Sequence, residues 1–212
     1  MLHSRLWILA LNLTRYNQGS ETRRLAMTTL LRRYRFDTDQ YAALVAQGIV
    51  GPQTRVELLD GEVVEMSPIG PQHLWAVNNL NDLLHTALGS TAVVSVQNPV
   101  VLSPHDEPQP DVAVLRPSAD LRRRVPLASD VLFLVEVSDT SLAKDLEVKL
   151  PLYAQAGIAE VWVADVDHDQ IARYTAPVEA VYTGHTVYPR GATITSIAAP
   201  GLQLAVDDIL PT

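Results

Sequence analysis

Cysteine is missing from the 212 residues, which excludes a disulfide framework and any Cys-ligated zinc or iron–sulfur site. Lysine is nearly missing too: of 16 basic residues only Lys144 and Lys149 are lysines, and the rest are arginines. Charge is sparse, 19% against 47% hydrophobic residues, a balance that excludes a largely disordered chain. Positive charge is in deficit, with a net charge of −8. That excludes a protein coating nucleic acid non-specifically, because such affinity comes largely from neutralising phosphates. It leaves room for a nuclease, whose metal-binding carboxylates add negative charge that bound cations offset. No apolar run reaches the roughly 20 residues of a membrane helix. Leu6 to Leu13 is apolar and follows Arg5, but it is short and no small-residue cleavage site follows, so it reads as non-secretory. The chain is expected to be cytoplasmic and free of membrane.

The length suffices for one domain with a sizeable core. Residues 1 to 35 differ from the rest, holding seven arginines (Arg5, Arg15, Arg23, Arg24, Arg32, Arg33 and Arg35) against one acid, Glu21. They read as an N-terminal extension or an upstream start, with Met27 a candidate true start and a basic arm the sharper alternative. The domain is expected over residues 36 to 212. Thr38 is a plausible N-cap for a helix through Gln47, stopped by Gly48. Arg55 to Met66 reads as a hairpin around Asp60-Gly61. Pro71 to Leu88 reads as an amphipathic helix carrying Leu74, Val77, Leu80, Leu84 and Ala87, ended by Gly89. Ala92 to Leu102 is β-rich. Asp111 to Leu115 and Val131 to Val137 are the short apolar runs of buried strands, as is Glu160 to Val166. A helix is expected from about Ser141 to Ala156, although Pro151 must bend it or delay its start. Further short strands follow Gln170. The predicted class is α/β: a mixed central sheet flanked by helices, with additional antiparallel strands.

Carboxylates inside apolar strands are costly unless something pairs with them. Asp111 opens one such strand and Glu136 lies near the end of another. Each calls for a salt bridge, a raised pKa or a bound cation. On a strand Glu136 and Ser138 point together, while Val137 points away but offers its carbonyl. Mg²⁺ takes such oxygen ligands. In Asp145-x3-Lys149-x3-Tyr153, helical spacing stacks three side chains on one face and delivers an ammonium to the strand ends.

Four segments in order carry a resemblance: Val56 to Glu62 (VELLDGE), Gln109-Pro110-Asp111-Val112, Leu134 to Ser138 (LVEVS), and Lys149-x3-Tyr153-x3-Gly157-Ile158-x-Glu160-Val161-Trp162. Together they resemble the Uma-type restriction endonuclease family of the PD-(D/E)XK nuclease superfamily, over roughly residues 38 to 210. The resemblance implies a restriction-endonuclease-like fold and a metal-dependent DNA endonuclease using Mg²⁺ or Mn²⁺. It casts Asp111 and Glu136, with the Val137 carbonyl, as metal ligands. Lys149 replaces the lysine that the superfamily usually has where this chain has Ser138, and Glu57 completes the catalytic set. By analogy with nucleases that pair to cut two strands, a homodimer is expected.

Blander readings stand beside these. Asp111 alone could be a turn residue, Glu136 could pair with Lys149 purely structurally, and a hairpin glutamate such as Glu57 is often solvated. His73 reads as a packing or surface histidine, Tyr153 as a packing residue whose hydroxyl reaches the site. Ser103 to Pro110 reads as a surface loop and Arg122 to Arg124 as a solvated one. The competing functions are a catalytically inactive nuclease-fold module that binds nucleic acid or a partner protein, and a hydrolase of another phosphodiester.

Overall fold

The hairpin forms where its turn chemistry demands it. Strands β1 (Val56–Leu59) and β2 (Glu62–Glu65) pair antiparallel around Asp60 and Gly61, both at positive φ (50° and 74°). That is the backbone of a type I′ turn, which Asp-Gly favours. The computed structural model describes residues 32–51, 54–139 and 141–211. The extension expected over residues 1 to 35 therefore lies, through residue 31, outside the described residues. Helix α1 (Thr38–Ala46) is capped one residue earlier than expected. Asp37, in extended conformation, accepts from the Gln40 N–H at 2.8 Å, and the Gln40 side chain returns to the Asp37 N–H at 3.1 Å. This reciprocal box satisfies two end donors at once, which Thr38 could not do from inside the helix.

The central sheet has six strands in the order β3 (Val93–Val96), β4 (Val112–Leu115), β5 (Val131–Ser138), β6 (Glu160–Asp165), β7 (Gln170–Val178) and β8 (Val181–Pro189). All neighbours are antiparallel except β5 and β6. A parallel pair needs a crossover, and the helical stretch after β5 supplies it. Alternation along the strands makes two cores. On one face Val112, Val114, Phe133, Val135, Val137 and Trp162 pack with Ala76, Val77, Leu80 and Leu84 of helix α2 (Pro71–Leu88). The small sheet of β9 (Thr193–Thr195) and β10 (Gln203–Ala205) and helix α5 (Val206–Ile209) add Ile194, Leu204, Val206 and Ile209 to that core. On the other face Ala113, Leu134, Val161 and Val163 meet Leu150 and Tyr153 of the crossover. At about 1.5–3 kcal/mol per fully buried large apolar side chain, these two layers hold the strand ends, and hence the site, in place.

Two expectations need correction, and a third, that Pro151 delays the regular part of the crossover helix, holds. The buried stripe of α2 runs through Ala76, Val77, Leu80 and Leu84, so Leu74 (52% exposed) and Ala87 lie outside it. The strand expected over Ala92 to Leu102 stops at Val96, because Gln97 turns to φ 51° and Pro99 cannot donate to a ladder. The crossover helix is in three parts: α3 (Leu142–Lys144), a π turn (Asp145–Lys149) and α4 (Leu150–Gln155). The wide turn places Pro151 in the first turn of α4, where a missing N–H costs nothing. Among the described residues no helix is long and apolar enough to cross a membrane.

Candidate functional site

The β4–β5 register, with Val112 opposite Val135, sets Asp111 beside Glu136. The hairpin is tied in by a bridge between Leu58 and Glu107, which turns Glu57 inward under Gln109. Glu57 is therefore fully buried, not solvated, and its Oε2 accepts the Gln109 N–H at 3.2 Å. From the crossover, Asp145, Lys149 and Tyr153 stack towards the same strand end, as their spacing predicts, and all three are buried.

Lys149 is the hub. Its Nζ lies 3.1 Å from Glu136 Oε1, 3.4 Å from Glu57 Oε2 and 4.0 Å from Asp145 Oδ1. The Tyr153 hydroxyl donates to the same Glu136 Oε1. Ser138, pointing with Glu136, donates to Asp145 Oδ2 at 2.7 Å, and Ser141 does the same at 2.7 Å. Lys144 Nζ reaches Glu57 Oε1 at 2.5 Å, an ion pair without hydrogen-bond alignment. Asp111 Oδ2 accepts the Val137 N–H at 2.8 Å, and its Oδ1 lies 3.0 Å from His73 Nε2 and 3.3 Å from Gln97 Nε2. Val137 thus meets Asp111 through its N–H, whereas the expected role used its carbonyl.

Burial drives the electrostatics. It pushes the Glu136 carboxyl up to about 8, against the opposing pull of the Lys149 ammonium. Asp145 is raised for the same reason. Burial also opposes the charge on Lys149, but the surrounding Glu136, Glu57, Asp145 and Asp111 outweigh it and hold the ammonium protonated. For Asp111 the burial penalty is overcome by His73, the Val137 N–H and Lys149, and its carboxyl lies below the usual range.

Four carboxyl groups (Glu57, Asp111, Glu136 and Asp145) thus share one cluster with the two ammonium groups of Lys144 and Lys149. The cavity they line, about 50 Å³, also touches Arg55, Gly70, His73 and Asp139. A water needs roughly 10–15 Å³, so this space has room for a few waters or a small ion with part of its hydration shell. An all-oxygen set of carboxyl donors fits a hard divalent cation in kind. Among the described residues no three His, Asp or Glu side chains already surround a common metal position. Asp111 and Glu136 are instead engaged by the protein's own donors.

All the predicted side chains, Glu57, Asp111, Glu136 and Lys149, are thus brought together. Sequence reasoning missed Lys144, for which no pattern exists. His73, read as a packing or surface histidine, contacts Asp111 through its imidazole. The stretch Ser103 to Pro110 is no simple surface loop: Asp106 is buried, accepting from the Asp60 N–H at 2.6 Å and Ser103 Oγ at 2.5 Å.

Comparison with known proteins agrees with this architecture. A solved structure described as a "putative nuclease belonging to DUF820", from Anabaena variabilis, superposes with a TM-score of 0.66 at 14% identity. It covers 82% of this chain and 97% of its own, a likeness of fold. A search of the curated proteins gave no match. Residues 38–207 match the Uma2 family, described as "Putative restriction endonuclease", and with that span of match the chain belongs to this family.

Proposed function

We propose that this protein is a divalent-metal-dependent endonuclease hydrolysing phosphodiester bonds in DNA. The observation that carries the reading is the buried cluster of Glu57, Asp111, Glu136 and Asp145 around Lys149, at the strand ends of a nuclease-type sheet. Asp111, Glu136 and the Val137 carbonyl would hold Mg²⁺ or Mn²⁺. When bound, the cation would supply charge neutralisation at the phosphate and a more acidic water. Asp111, already on the anionic side, is ready to ligate without losing a proton. Lys149 keeps Glu136 oriented and balances its charge, and Glu57 fixes Lys149 from the other side.

A nuclease-fold module that binds nucleic acid or protein without turnover is the second reading. Ser138, standing where the superfamily usually carries lysine and bonded here to Asp145, favours it. Plasmid nicking separates the two: the proposal expects cutting with Mg²⁺ or Mn²⁺ and none with a chelator. Binding without cutting under either cation would leave the second reading.

A further inference from the structure

We propose that Lys144 binds a phosphate of the DNA strand and that Glu57 is its positioning residue; this rests on the nuclease reading above. The two lysines of the chain are in different situations. Lys149 is 4% exposed, donates to Glu136 at 3.1 Å and has the Glu57 and Asp145 carboxyls within 4.0 Å, so it is enclosed by the cluster and closed to an incoming strand. Lys144 is 25% exposed and lines the same cavity, and among the described residues it is paired with Glu57. That contact is not aligned as a hydrogen bond, so the ammonium keeps donors for an incoming oxyanion.

The backbone explains how Lys144 gets there. In a regular helix of 3.6 residues per turn, residues five apart point about 140° away from each other. The intervening π turn, in which the Leu150 N–H bonds to the Asp145 carbonyl, stacks residues five apart instead. Lys144 and Lys149 therefore both reach Glu57, one on each carboxylate oxygen. A buried anion with no exposed face of its own thereby fixes a partly exposed cation at the rim of the metal-ligand cluster. A phosphodiester oxygen beside Asp111 and Glu136 is the group that such a cation fits.

The test is binding of a labelled DNA duplex across a salt series, with Ca²⁺ replacing Mg²⁺. Wild type, Lys144→Met, Lys144→Gln and Lys144→Arg are compared, with thermal melts as the fold control. Losing one phosphate contact should reduce the steepness of log K against log salt by about 0.9. It should also weaken binding on the order of tenfold at low salt. Lys144→Arg should keep the wild-type slope. If Lys144→Met fails to fold, Lys144→Gln, which can still bond to Glu57, gives the same reading. A folded, uncharged variant with the wild-type slope overturns the role of Lys144 and leaves the nuclease reading standing. Wild type that neither binds nor cuts DNA overturns both.

Discussion

Lys149→Met tests whether the ammonium is what holds the carboxylate cluster together. Methionine fills much the same volume but leaves Glu136 and Asp145 without their nearest cation, and leaves Glu57 with Lys144 alone. Removing one partner of a buried ion pair costs about 3–5 kcal/mol. For a chain of this size each kcal/mol moves Tm by about 2–4 °C, so the fall should be roughly 6–20 °C. The loss should also depend on pH. Glu136 and Asp145 are already raised by burial, and losing the Lys149 ammonium removes the charge that pulls them down. Such groups stabilise the fold below the unfolded pKa and lose that contribution as pH rises through the folded one. The variant should therefore fall furthest behind wild type at alkaline pH and least in acid. Thermal melts of both proteins across a pH series read this directly. A variant within about 2 °C of wild type at every pH would refute the reasoning, because less than one kcal/mol would then ride on the ammonium.

Glu136 carries its own pH signature. Its carboxyl is raised from 4.5 to about 8, so its contribution is complete below 4.5 and lost as pH rises towards 8. Wild type should lose Tm relative to Glu136→Gln across that window; parallel curves would contradict the raised pKa. Glu160, a buried carboxylate outside the cluster, is structural. Glu160 accepts from Trp162 Nε1 at 2.6 Å, from the Ile197 and Ala198 N–H groups at 2.8 Å each, and from Ser196 Oγ at 3.2 Å. Glu160→Ala should cost at least about 3 kcal/mol in chemical unfolding by orphaning these donors, and a cost under about 1 kcal/mol would contradict that role.

Much of the fold was legible because it is local. Asp60-Gly61 demands its turn, the apolar runs of β4, β5 and β6 can only be buried strands, and Pro151 announces an irregular crossover. The parts that were not legible depend on distant partners. Glu57 was singled out by the family resemblance alone; by its local pattern it looks like any hairpin glutamate until the crossover, some 90 residues later, brings Lys144 and Lys149 to its two oxygens. His73 lies beside the apolar face expected of α2 and reads as a packing or surface histidine, yet the first turn of α2 aims it at Asp111. Lys144 had no periodic partner at all, since helical spacing pairs Asp145 with Lys149 and the π turn that recruits Lys144 is written nowhere in the pattern. Asp111, Glu136 and Lys149 were legible for the opposite reason: charged groups set into or beside apolar segments betray themselves by their cost.

The most direct test of the central claim is plasmid nicking by wild type and Asp111→Ala side by side, with Mg²⁺, Mn²⁺ or EDTA. The account predicts cation-dependent cutting by wild type, abolished by EDTA and by the substitution. Unchanged cutting by Asp111→Ala would contradict it by placing the chemistry elsewhere.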